Sequence, residues 1–314
     1  MEPGSVLVAL GGHALIRPGR PASVEEQVEG LRESLAGVAA LVAEGHRVVL
    51  THGNGPQVGH ELARSEAARG RAYPLPLDVC VAHSQGEIGY LLVQELANQL
   101  RRAGAEREVA AVLCRVVVDG GPLERAPLKP VGPVLTAEEA VRLRAAGARV
   151  VNDRRRGPRR AVPSPEPVRI VEVPALRRLH EAGVVVVAAG GGGIPVREGP
   201  DGTLVGVEAV VDKDLASALL ARDLWIAVLL DLTSVEQVRL DFGTLLERPV
   251  ARLTVAEARR HLAEGQFPPG TMGPKVEAAL RFIESGGQTA VITDPAHALA
   301  AFRGGAGTRI VRED

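Results

Sequence analysis

Residues 5–19 read SVLVALGGHALIRPG. The run SVLVAL (5–10) is apolar without alternation. A strand of that kind is buried on both faces, as in a parallel sheet with helices on either side. The run stops at Gly11 and Gly12, where the backbone loses its side chains, and His13 follows at once. Carboxyl ends of parallel strands line the ligand crevice. This turn therefore sets bare N–H groups and an imidazole where a ligand would sit.

Outward from this stretch the same rhythm repeats. A helix is expected over 23–45, with Ser23 and Glu26 at capping-box spacing, and a strand at RVVLTH (47–52). A helix follows GNGPQVG, a longer one spans about 78–102, and EVAAVLCRVVVD (108–119) reads as one buried strand. The second half alternates again. VPALRRLHEAG is a helix, VVVVAA (184–189) a strand, DKDLASALLA a helix and LWIAVLL (224–230) a strand. TVAEARRHLAEG (254–265) opens on a second capping box, Thr254 and Glu257. GPKVEAALRFIESGG is a helix, and QTAVIT (288–293) a strand. Strand and helix in alternation predict an α/β fold with one open, mostly parallel sheet in two lobes. Residues 118–170, rich in Pro, Gly and Arg around a short helix at TAEEAVRLRAAG, read as an excursion from the sheet, a lid.

Composition narrows the function. The 314 residues are 46% hydrophobic, with no apolar run long enough to span a bilayer. No basic N-terminal region precedes a hydrophobic stretch, so no signal peptide is expected. Cys80 and Cys114 lie in apolar surroundings and read as reduced and buried, in a cytoplasmic protein. A net charge of -1, without basic blocks among aromatics, argues against nucleic acid as partner. The RRRGPRR run (154–160) reads as a solvated face able to draw in anions.

Of the 37 Lys+Arg residues, only Lys129, Lys213 and Lys275 are lysines. A chain that otherwise uses arginine keeps lysine where a compact ammonium fits and a planar guanidinium does not. Each lies beside Gly, Pro or Asp. Three glycine-rich stretches, LGGHA (10–14), THGNGPQVG (51–59) and AAGGGGIPV (188–196), each follow a strand. One such loop only permits a turn. Three on one sheet edge, with three rare lysines, point to a phosphorylated ligand. The P-loop pattern is absent. GNGPQVG has one residue too many for a dinucleotide fingerprint, and no strand presents Asp78 to a ribose. His52 and His60 lack the spacing of a helical metal pair. His46, His180 and His261 fall in contexts that read as solvated.

The motifs VALGGHAL, THGNGPQVG, PLPLDVCVAHSQGEIGYLL, LKPVGP, RRAVPSPEP, GGGGIPV, GVEAVVDKDLASALLA and GQFPPGTMGPKVEAALRF together resemble carbamate kinases of the amino-acid-kinase fold, in register from about 5 to 311. The resemblance implies an eight-stranded open sheet with a small protruding subdomain at about 118–170. It implies a carbamoyl-binding lobe at about 1–185 and a nucleotide lobe at about 186–314. It also implies reversible phosphoryl transfer between carbamoyl phosphate and ADP, Mg²⁺ carried by the nucleotide, and a homodimer. The helix in PLPLDVCVAHSQGEIGYLLVQEL could pair two subunits or be core.

In this family pattern Lys129 reaches the carbamoyl phosphate from the subdomain. Lys213 and Lys275 neutralise the moving phosphoryl and the nucleotide, and Asp214 orients the lysines. Gly11, Gly12 and His13, with Gly53, Asn54 and Gly55, hold the substrate. Gly191, Gly192, Thr233 and Met272 border the nucleotide. The chain departs from the family at His13 (usually Asn), Pro158 (Trp), Glu236 (Asp) and His83 (Met). A relative acting on another small acid, or a non-catalytic nucleotide-binding paralogue, would share these motifs. A decayed site in an arginine-biased chain, however, would have lost at least one lysine to arginine.

Overall fold

The computed structural model describes residues 4–12, 15, 23–153, 157–268 and 270–313. Its centre is an eight-stranded sheet. In spatial order the strands are Arg252–Thr254, Thr308–Val311, Thr289–Thr293, Val228–Leu232, Ser5–Leu10, Arg47–His52, Val185–Val187 and Val109–Ala111. Thr289–Thr293 and Thr308–Val311 run antiparallel. Every other neighbouring pair is parallel.

The opening strand behaves as its composition dictates. Val6, Val8 and Leu10 pack with the helices Val24–Ser34, Ala36–Ala43 and Leu77–Arg102 on one face. Leu7 and Ala9 pack on the other, with the helices Lys213–Asp223 and Met272–Glu284. Period-two geometry sends alternate side chains to two buried cores, so an unbroken apolar run is required.

Two expected elements are divided. The helix expected over 23–45 is interrupted at Leu35, although Ser23 Oγ does accept from Glu26 N, as its cap position predicts. The single strand expected over 108–119 becomes Val109–Ala111 at the edge of the main sheet and Arg115–Val118 in a second sheet. Gln85 bridges the change of sheet. Its amide receives Cys114 N at 2.9 Å and donates to Cys114 O at 3.2 Å and Gly190 O at 2.9 Å. Both strands are apolar, so hydropathy alone does not show where one sheet yields to the other. The Thr254–Glu257 capping box is complete.

The second sheet orders Leu204–Gly206, Ile194–Glu198, Arg115–Val118 and Pro167–Ile170. Between Arg115–Val118 and Pro167–Ile170 the chain forms a separate three-stranded antiparallel sheet, Leu128–Val131, Gly157–Pro163 and Val150–Asp153, with the helix Ala137–Ala145. This excursion is docked on the helix Gly55–Ala67. Gly132 N donates to Gly55 O at 2.8 Å, and Arg160 pairs with Glu66 at 2.6 Å.

His46 and His180 are buried, contrary to the reading of their contexts as solvated. His46 accepts from Gly4 N at 3.1 Å and meets Phe302 edge-on, and His180 lies 3.2 Å from Ser5 Oγ. One ring nitrogen of each thus finds a tertiary partner, whereas His180 Nδ1 is buried without one. Both cysteines are free and buried, and burial pushes the Cys80 thiol up to about 11 and Cys114 to about 12.

Candidate active site

The carboxyl ends of the central strands meet in one place. Gly11 N donates to Leu232 O at 2.9 Å, Gly53 N to Leu10 O at 3.0 Å, and Thr233 N to Thr293 O at 2.7 Å. Gly11, Gly12, Gly53 and Thr233 therefore share one rim, with Asn54 and Gly55 opening the helix Gly55–Ala67 behind it. The Asn54 side chain does not cap that helix. It donates to Ser84 Oγ at 2.8 Å and is buried. His13 lies outside the described residues.

The loop at 190–193 has a packing reason for its glycines. A β-carbon on Gly190 would lie 2.0 Å from His52 Nε2, and one on Gly191, at φ +67°, would lie 2.1 Å from Asn54 Nδ2. These glycines let the loop close over His52 and Asn54. Gly191 and Gly192 are buried, so they shape the crevice wall from behind.

The three lysines converge from three elements distant in sequence. Lys129 projects from the first strand of the excursion. It donates to Val211 O at 3.0 Å and to Asp212 Oδ2 at 3.2 Å. Lys213 begins the helix Lys213–Asp223, whose N-cap is Asp212. Lys275 lies one turn into the helix Met272–Glu284, which Met272 opens.

Lys213 Nζ is 2.6 Å from Asp214 Oδ1 and 3.1 Å from Asp231 Oδ1. Lys275 Nζ is 3.0 Å from both oxygens of Asp231, and 3.3 and 3.4 Å from those of Asp214. Two ammonium groups and two carboxylates thus form a closed, nearly buried ring. Buried charges persist only when paired in this way.

Asp212 and Asp231 escaped the sequence reading. Asp212 is an ordinary cap residue by type; here one oxygen caps the helix at Asp214 N and Leu215 N while the other holds Lys129. Asp231 had one available signal, a lone carboxylate in the apolar strand VLLDL.

The ring sets its own protonation. Burial opposes ionisation of Asp214, but the ammonium groups of Lys213 and Lys275 outweigh it and hold the carboxyl below its usual range. Burial and the neighbouring Asp214 charge push Asp231 upward against the pull of the same lysines. Burial alone would lower Lys275, but Asp214 and Asp231 hold it above the usual lysine range. Burial lowers His52 to about 4, opposed by its bond to Gly53 O and aided by the Lys213 charge.

Such an arrangement, glycine loops and helix N-termini around clustered ammonium groups, suits a phosphorylated ligand. The model of the amino acid kinase family matches residues 5–294. The chain belongs to the amino acid kinase family. Within it, the chain is 43% identical over 314 residues to the carbamate kinase of Thermococcus kodakarensis, covering 98% of this chain and 99% of that one. It is 44% identical over 312 residues to the carbamate kinase-like protein YahI of Escherichia coli, covering 98% of each. Among solved structures, carbamate kinase from Giardia lamblia bound to AMP-PNP superposes with a TM-score of 0.89 at 34% identity, covering 99% of each chain. The mainly parallel sheet expected from the strand–helix alternation, with the eight strands that the resemblance implies, is the sheet found.

Proposed function

We propose that this protein is a carbamate kinase, which moves a phosphoryl group reversibly between carbamoyl phosphate with ADP and carbamate with ATP. The observation that carries this reading is the convergence of Lys129, Lys213 and Lys275, the chain's only lysines, at the carboxyl edge of the parallel sheet. The curated relatives and the nucleotide-analogue complex named above support it.

Phosphoryl transfer asks a protein mainly for alignment and for positive charge around the oxygens in transit. In this reading the N-terminal lobe, about 1–185, holds the carbamoyl group with backbone N–H groups of Gly12 and Gly55, beside His13 and Asn54, while Gly11 and Gly53, whose N–H groups are engaged by Leu232 O and Leu10 O, let the backbone approach closely. The C-terminal lobe, about 186–314, holds the nucleotide near Gly191, Gly192, Thr233 and Met272. Lys129 brings its charge from the excursion of about 118–170. Lys213 and Lys275 face the phosphoryl from helix starts, where the helix dipole favours an anion as well. Asp214 keeps both ammonium groups in place.

Mg²⁺ enters with the nucleotide. Asp212, Asp214 and Asp231 each have an oxygen within 3.4 Å of a lysine nitrogen, so their charge is committed to the lysines. The nucleotide's phosphate oxygens would hold the ion, which neutralises part of their charge when bound.

We also infer a cytoplasmic homodimer. Among the described residues no helix is long and apolar enough to cross a membrane. One face of Leu77–Arg102 is core, while the other leaves Tyr90 exposed, next to the sheet's edge strand Val109–Ala111 and exposed Leu113.

The test is direct. Protein, ADP, Mg²⁺ and carbamoyl phosphate should yield ATP, and omission of carbamoyl phosphate should abolish it. Absence of ATP from folded protein at millimolar substrates would refute the reading.

A further inference from the structure

Asp231 lies near the carboxyl end of a central strand of the main sheet. Its strand, Val228–Leu232, has Ser5–Leu10 on one side and Thr289–Thr293 on the other, with Asp231 in register with Ala9 and Ile292. The residue is 5% exposed. An apolar residue would fit the two-sided core here, and an unpaired carboxylate would be costly. The side chain is engaged at both oxygens: Oδ1 accepts from Lys213 at 3.1 Å and Lys275 at 3.0 Å, and Oδ2 accepts from Lys275 at 3.0 Å. Asp214, by contrast, lies on the first turn of the same helix as Lys213. Asp231 is thus the member of the ring that the sheet supplies. It ties two helices, Lys213–Asp223 and Met272–Glu284, to the sheet through their lysines.

We propose that Asp231 is a positioning residue, whose carboxylate bridges Lys213 and Lys275 and fixes the spacing and charge of the two ammonium groups presented to the phosphoryl. The inference rests on the phosphotransferase reading. The charged groups facing Asp231 are Lys213 and Asp214 from one helix and Lys275 from the other. His52, on the strand beyond Ser5–Leu10, is kept neutral by burial near neutral pH.

Two variants and one activity-free readout test this. Asp231→Asn keeps the shape and removes the charge. Asp231→Glu keeps the charge and moves it by one methylene. Because the chain has three lysines, protein labelled with ¹³C at lysine Cε gives three assignable signals whose pH titrations report each ammonium directly. Asp231→Asn should lower kcat on the order of 10²-fold, as loss of one preorganised electrostatic element does, with KM changed much less. It should also bring the Lys275 signal to titrate at lower pH than in wild type, since one of its two counter-charges is gone. Asp231→Glu should keep the lysine titrations of wild type and still lose turnover, and it carries the test if the Asn variant does not fold. Wild-type kcat in Asp231→Glu, or unmoved lysine titrations together with wild-type kcat in Asp231→Asn, would overturn the proposal. Failure of the wild type to make ATP would instead refute the carbamate kinase reading, while the lysine titrations would still decide the role of Asp231.

Discussion

Lys275→Arg separates charge from shape. The Lys275 nitrogen has four carboxylate oxygens within 3.4 Å, two from Asp231 at 3.0 Å and two from Asp214 at 3.3 and 3.4 Å. A tetrahedral ammonium satisfies such a converging set with one compact charge. A guanidinium spreads its charge over a plane whose terminal nitrogens reach about 1 Å beyond the ammonium position, so the carboxylates or the helix must shift to admit it, a misplacement that can cost ~10²-fold in rate. That corresponds to about 2.7 kcal/mol of transition-state stabilisation. Folding should suffer less, because the carboxylates keep a counter-charge. Lys275→Met, which strips it, should lose about 3–5 kcal/mol of stability. Initial rates of ATP formation at saturating ADP and carbamoyl phosphate measure the first quantity, and urea unfolding the second. Turnover of Lys275→Arg within threefold of wild type would refute the argument that lysine is retained here for its compactness.

Gly190→Ala would set a methyl 2.0 Å from the buried His52 ring, so it should destabilise by about 1–3 kcal/mol or more in urea unfolding; unchanged stability would mean the loop shifts freely. His52 should govern part of the acid sensitivity. Its folded value of about 4 lies below the ordinary 6.5, so between those pH values only the unfolded chain takes up the proton. Stability should therefore fall as pH drops through that window, by about 3 kcal/mol in all, and no further below it; the pH slope of the unfolding free energy should flatten in His52→Gln. Backbone amides of the excursion strand carrying Lys129 should exchange more slowly with carbamoyl phosphate and a non-reactive nucleotide bound, since ligand would add contacts to a lysine now held by Val211 O and Asp212; hydrogen exchange with equal rates would mark the excursion as a fixed piece.

Sequence alone determined the layer architecture. Apolar runs such as SVLVAL can be buried on both faces only in a sheet with two helical covers, and the strand-helix alternation then leaves mainly parallel neighbours. The rarity of lysine in an arginine-rich chain singled out Lys129, Lys213 and Lys275, because charge type at a site is a local chemical choice that composition records. Tertiary structure decided what those residues meet. Asp231 is one carboxylate in an apolar strand and Asp212 one more helix cap, until folding brings Lys213 and Lys275 to the first and Lys129 to the second. His46 and His180 read as solvated because their partners, Gly4, Phe302 and Ser5, come from elsewhere in the chain. The run 108–119 read as one strand because hydropathy records burial, not partners. Partners from distant elements, the Gln85 amide and the Glu172 carboxylate, meet the backbone where one sheet ends and the next begins. Local pattern reports what each residue needs; which residue supplies it is a property of the packed chain.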